Sequence, residues 1–153
     1  MTDERLTKER LRLWLRMLRV TRQVESALRE RLRTEYDSTL PRFDVMAALS
    51  ANAEGLKMNE LSRRLRVSNG NVTGIIDRLV EDGFVQRIAI EGDRRATRVC
   101  LTKAGQESFN GMAAAHERWV NALFEEVTEA DAHHIGELLH RLPTDTRTIK
   151  CKA

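Results

Sequence analysis

The side chains best placed to do chemistry lie in SNGNVTGIID, Ser68 to Asp77. Three chemistries fit parts of it. Asn71-Val72-Thr73 is an N-glycosylation sequon, idle unless the chain is exported. Gly70 and Gly74 bracket amide-rich residues as a phosphate-cradling loop would. That loop also needs a terminal Lys-Ser/Thr and a buried strand before it, and the sequence supplies neither. The third chemistry is hydrogen bonding from a helix start. Ser68 can cap a helix, with Asn71 at the capping-box position. Asn69, Gly70, Asn71 and Thr73 then make a slim polar first turn, suited to a major groove about 12 Å wide. Asn matches adenine with two hydrogen bonds, and Ser or Thr matches phosphate or either base. Gly70 and Gly74 cost the helix about 1 kcal/mol each relative to Ala, and they let a groove wall or a sugar-phosphate chain come close. Arg78, one turn on, can reach a phosphate.

The other constellations are thinner. Asp93-Arg94-Arg95 puts two guanidinium groups at a hairpin tip, and an arginine held by an aspartate suits a narrow minor groove. His133, Glu137 and His140, with His134 beside them, share a helix face as a small metal site would. A solvated face accounts for them equally, and no metal is expected. Cys100 and Cys151 are 51 positions apart and match no ligand or redox spacing. No Ser/His/Asp or paired-carboxylate arrangement stands out, so the chain has no visible catalytic centre, and no cofactor is implied.

Elements must hold these residues in place. Apolar positions 11, 14, 18 and 17, 20, 24, 28, 32 give the first segment a helical period. Its apolar face is too wide for a compact monomer of this size to cover, and suits a subunit interface. Pro41 stops or restarts the chain before a second helix over FDVMAALSA, residues 43–51. MNELSRRL, residues 58–65, is a short third helix. VTGIIDRLVED then carries Val72, Ile75, Ile76, Leu79 and Val80 at helical spacing, with Gly83 at the C′ position that takes a positive φ. FVQRIAI (84–90) and TRVCLT (97–102) alternate as strands around EGDRRA, a charged turn too long for a two-residue hairpin. Thr102 caps a helix from Lys103 to about Val127. A last helix runs from about Glu129 to Leu142 and is closed by Pro143.

At 153 residues the chain has room for one domain with helical extensions. Hydrophobic content of 41%, charged content of 32% and aromatic content of 5% fit a charge-coated helical protein rather than a sandwich or barrel. No apolar run reaches the roughly 18 residues of a membrane span, and no signal-peptide core is visible. The expected location is cytoplasmic, with no membrane partner. The net charge of +3 is unevenly spread. Residues 5–34 hold ten Lys or Arg against three Glu, and residues 58–98 hold eight Arg against six acids. Such a surface favours polyanions.

Two short helices joined by a tight turn, the second opening with small polar residues, make a helix-turn-helix. MNELSRRLRVSNGNVTGIIDRLVEDGFVQR, followed by EGDRRATRVCLTKAG, resembles the winged helix-turn-helix of the MarR family of bacterial transcriptional regulators. The helix-ELS-helix-VS-NVT-DRL-GFV order and the wing DRR ending in LTxxG cover residues 58–105, and the flanking helices extend the likeness to nearly the whole chain. The resemblance implies a mainly α fold with a small β-hairpin wing. Residues 35–103 would form the winged helix-turn-helix, 1–34 and 104–145 the helical dimerisation region, and 146–153 a basic tail. It implies a homodimer, interlocked by its first and last helices, on a palindromic double-stranded DNA operator. Asn69, Gly70 and Asn71 would face bases, with Ser68, Thr73 and Arg78 mostly on the backbone. Asp93 would orient Arg95 into the minor groove while Arg94 meets phosphate. Lys57 stands where family members often have a capping Ser or Thr, which weakens that cap and could add a phosphate contact. The first helix has no cysteine, unlike the peroxide-sensing members.

Family members commonly bind phenolic or other small anions between the dimerisation helices and the winged domain. Trp14, Met17, Phe43, Met46, His116 and Trp119 could line such a pocket, although plain core packing explains the same spacing. Arg16, Arg19 and Arg22 could attract a small aromatic acid or an acyl-CoA thioester. The expectation is a ligand-responsive repressor, released when the ligand moves two recognition helices off the roughly 34 Å repeat of a DNA turn. The competing reading is an architectural or protein-interaction winged helix that needs no effector.

Overall fold

The computed structural model describes residues 2–65 and 67–143, so the tail expected at 146–153 and Cys151 lie outside the described residues. The chain divides into two compact units, Met1–Val120 and Asn121–Ala153.

The first unit begins with α1 (Thr2–Tyr36), a helix of 35 residues. At 1.5 Å per residue it is about 52 Å long. Only its last turns enter the core, through Leu28 and Leu32. Towards its start Leu11 is 56% and Trp14 54% exposed, so the wide apolar face lies bare on the single chain. Asp37 takes a left-handed φ of 47°, a conformation that short polar side chains tolerate. Ser38 N–H closes the helix end on Leu32 O at 3.1 Å.

The second helix, α2, spans Leu40–Ser50 rather than the expected 43–51. Thr39 caps it, its Oγ accepting from Arg42 N–H at 3.3 Å, and Pro41 sits in the first turn. There its fixed φ is already helical and its missing N–H is not needed. Pro41 therefore starts this helix rather than ending one. Helices α3 (Met58–Leu65) and α4 (Asn69–Glu81) follow. Val45, Met46, Leu49, Leu61, Val72, Ile76 and Leu79 close a core in which each is essentially inaccessible.

The sheet holds two differences from the sequence reading. A two-residue strand, β1 (Leu56–Lys57), pairs antiparallel with β3 (Asp93–Leu101), which also pairs with β2 (Val85–Ile90), in the order β1-β3-β2. Two residues carry no alternation, so β1 left no trace in the sequence pattern. The expected long charged turn is also absent: Ile90 pairs with Asp93, leaving Glu91 and Gly92 as a two-residue turn. Gly92 takes a φ of 85° there, and a register shift between Ala89 and Ile90 absorbs the odd residue. Asp93 to Ala96 are thus strand, not loop.

Phe84 is the joint between the hairpin and α5 (Lys103–Leu123). Thr102 caps α5 as expected, its Oγ accepting from Gly105 N–H at 3.0 Å and donating to Gly83 O at 2.6 Å. A Cβ on Gly105 would stand 1.9 Å from Phe84 O, so only glycine permits this approach. The LTxxG spacing is therefore a packing requirement.

The second unit holds α6 (Glu129–His140), which ends two residues short of the expected Leu142. Thr128 and Asp131 form a full capping box at its start. Hydrogen bonds from the Thr128 hydroxyl and backbone hold the Asp131 carboxyl below the usual carboxylate range. Ile135, Leu138, Leu139 and Leu142 are exposed. Helix α5 stops at Leu123 instead of about Val127, and Val127 N–H turns back onto Phe124 O.

Candidate nucleic-acid interface

Helix α4 is built to stay rigid while showing a polar face. Ser68, at φ −62° and ψ 148°, caps it and accepts from Asn71 N–H at 3.4 Å. Its other end closes as two hydrogen bonds, Gly83 N–H to Val80 O at 3.0 Å and Phe84 N–H to Leu79 O at 2.9 Å. This is a Schellman closure, and it needs the left-handed φ of 76° that Gly83 adopts. Val72, Ile76 and Leu79 face the core, which leaves Gly70, Asn71, Thr73, Gly74, Asp77 and Arg78 outward. The backbone at Asn69 opens the helix; its side chain lies outside the described ones.

Two ion pairs clamp this helix from either flank. Arg42 of α2 pairs with Asp82 just past the end of α4, and Arg87 of β2 pairs with Asp77 at 2.5 Å. Sequence reasoning missed both. The partners are 40 and 10 positions apart, and no local periodicity links them. The second pair matters to the site because it couples the wing to the middle of the polar face.

At the hairpin, Asp93 Oδ1 accepts from the backbone N–H of Arg95 at 3.0 Å. Asp93 therefore acts on Arg95 through the main chain, setting the direction of the strand rather than gripping the guanidinium. Arg95 is exposed, and the Arg94 side chain lies outside the described ones. Lys57 lacks a capping hydroxyl, yet the start of α3 is satisfied. Glu60 Oε2 accepts from Lys57 N–H at 3.0 Å, so the carboxylate three residues on supplies half of a capping box.

The residues expected to line a ligand pocket do not meet in a single chain. Trp14, Arg16 and Arg19 lie on the bare half of α1, about 27 Å along the helix from Leu32 for Trp14. Phe43 and Met46 belong to the core, His116 stacks on Phe43 at 4.7 Å, and Trp119 meets Tyr36 edge-on at 6.1 Å. A cavity of about 840 Å³ lies elsewhere, on the α1–α2 flank of α4, with Gly70, Asn71, Gly74 and Arg78 in its wall. On α6, His133 Nε2 and Glu137 Oε1 stand 3.5 Å apart. Among the described residues no group of three His, Cys, Asp or Glu is arranged to hold a metal, and no helix is long and apolar enough to cross a membrane. Cys100 is buried, as the alternation predicted.

Comparison with known proteins agrees with this geometry. A family model described as MarR family matches residues 39–97. A crystal structure of a MarR family transcriptional regulator from Silicibacter pomeroyi is similar at 34% identity and a TM-score of 0.75, covering 88% of this chain and 92% of that one. A mutant MarR from E. coli complexed with operator DNA is similar at 26% identity and a TM-score of 0.78, covering 90% of this chain and 99% of that one. The HTH-type transcriptional regulator PecS of Dickeya dadantii is 26% identical over 126 residues, 81% of this chain and 75% of that protein.

Proposed function

The chain belongs to the MarR family of transcriptional regulators, and on that premise we propose that it binds a palindromic operator as a homodimer and represses transcription until a small organic acid releases it. The observation that carries the reading is α4 itself. It is capped at both ends and clamped on both flanks, and its outer face is slim, polar and basic at Arg78. A rigid helix of that profile enters a major groove without reorganisation. Asn71 reads a base edge, Ser68, Thr73 and Arg78 hold phosphates, and Arg95 enters the minor groove beside the wing. Asn69, Gly70 and Arg94 complete the contact set. The bare apolar faces of α1 and α6 support dimerisation, because exposed runs of that length are costly in water. A dimer seated on its operator occludes that stretch of DNA from other proteins, which is the simplest route to repression.

The test starts by selecting duplexes from a random pool with the purified protein. A palindrome with half-sites about one helical turn apart is expected. Asn71→Ala should then lose about 1–3 kcal/mol of discrimination at one base position, and Arg95→Ala should weaken all sites more evenly. Affinity that depends on salt but not on sequence would instead favour an architectural winged helix without an effector.

A further inference from the structure

We propose that the cavity between α1, α2 and α4 binds a planar organic monoanion, and that this anion and the operator compete directly for Asn71 and Arg78; the proposal rests on the operator-binding reading above. The cavity measures about 840 Å³, within the range of small-molecule sites. Its charge comes from four guanidinium groups: Arg29 and Arg33 of α1, Arg42 of α2 and Arg78 of α4. Three of them have carboxylate neighbours, since Glu30 holds Arg33, Asp82 holds Arg42, and Glu81 stands 4.0 Å from Arg78. Arg29 has no carboxylate partner among the described residues. One positive charge is thus left uncompensated, which matches a monoanion.

The hydrogen-bonding capacity is also incomplete. Arg42 Nε is buried and has no partner, although the same side chain is only 19% exposed and already engaged with Asp82. A buried donor without an acceptor costs free energy that an incoming oxygen recovers. A carboxylate is the natural complement of such a fork. The rest of the wall is apolar, from Leu40, Pro41, Val67 and Ile75. Gly70 and Gly74 stand one turn apart in it, with nothing within 4 Å of where a Cβ would be. Their bare backbone leaves a flat face on α4 against which an aromatic ring can lie. The two glycines that weaken the recognition helix are accounted for by this slot.

The consequence for regulation follows from shared atoms. Asn71 and Arg78 line the cavity and also belong to the proposed operator contact. An anion that draws the Arg78 guanidinium inward removes it from the phosphate. Direct competition differs measurably from a ligand that shifts helix spacing. Competition raises the apparent operator Kd in proportion to ligand without limit, whereas a coupled two-state protein reaches a plateau set by the coupling factor.

The experiment uses the full chain, its selected operator duplex and 2-naphthoate as the probe, with inorganic phosphate as the control. Calorimetry should show saturable binding of 2-naphthoate by free protein, at least tenfold tighter than phosphate. The apparent operator Kd should climb with 2-naphthoate and show no plateau. Arg29→Ala removes the uncompensated charge and Arg29→Trp fills the cavity. Both sit on an exposed helix position, and circular dichroism should report an unchanged fold. Each should weaken 2-naphthoate about tenfold or more, with ligand-free operator affinity as in wild type. Lack of 2-naphthoate binding, a plateau, or wild-type binding by both variants overturns the proposal. If Arg29→Ala instead lowers operator affinity and its salt slope, the groove carries DNA backbone and the anion site is overturned. Failure to select any operator would sink the operator reading separately, and leaves the calorimetric arm to decide the cavity.

Discussion

Between residues 40 and 101, Val45, Leu61, Val72, Ile76, Leu79 and Val99 are wholly buried, whereas over residues 6–20 Leu6, Leu11, Leu13, Trp14 and Val20 each leave about half their surface in water. Both regions are rich in aliphatic side chains at helical or strand spacing. What separates them is whether the chain itself supplies the opposing surface. The winged region folds three helices and a sheet around a common centre. The start of α1 projects past that centre, so its apolar face stays bare until another surface meets it. One region carries a fold, and the other carries an association.

The largest expected effect tests the closed side. Ile76→Ala removes a buried anchor of α4 and should cost about 2–5 kcal/mol in urea unfolding. A cost under about 1 kcal/mol would mean that the core is less closed than its burial implies. The open side is tested by Leu11→Asp combined with Trp14→Asp. Charges on that face should raise the dimer dissociation constant by about 30-fold or more in sedimentation equilibrium, as expected for loss of at least one interface hot spot. An unchanged dimer would leave the bare face of α1 without its proposed role. In the second unit, Thr128→Ala removes the hydroxyl of the capping box and should lower stability by about 1 kcal/mol.

The smallest effect lies where the two regions meet. Asp44 of α2 has its carboxyl raised above the ordinary value of 3.8, first by desolvation, against the pull of His116 and with a push from Glu25 of α1. An acid with a raised native pKa binds more protons folded than unfolded, so its contribution to stability falls as pH rises from about 3.8 through the native value. Asp44→Asn removes that slope. Denaturation at a series of pH values should show the variant gaining on wild type as pH rises through this window. A parallel pair of curves would mean that Asp44 titrates as it does in the unfolded chain.

Much of the interface was legible residue by residue. The cap at Ser68, the left-handed Gly83, the cap at Thr102 and the buried face of α4 all rest on interactions within about five positions, and local spacing reveals those. The hairpin was legible as two strands and a charged connection, but its turn was read as too long. Alternation fades where Asp93 to Ala96 put charged side chains into a strand whose pairing is made by the backbone. The same limit hid β1, which exists only because β3 offers it partners at Val99 and Arg98.

The sequence by itself determined the helical periods, the helix ends and the polar first turn of α4, because caps and apolar stripes are decided by near neighbours along the chain. Only the tertiary structure decided that Arg42 would grip Asp82, that Arg87 would grip Asp77, and that Gly105 would lie against Phe84. It also decided that Gly70 and Gly74 would face a basic, apolar-walled cavity. Those outcomes depend on which surfaces the folded backbone brings within a few ångströms, and separation along the chain carries no information about that distance.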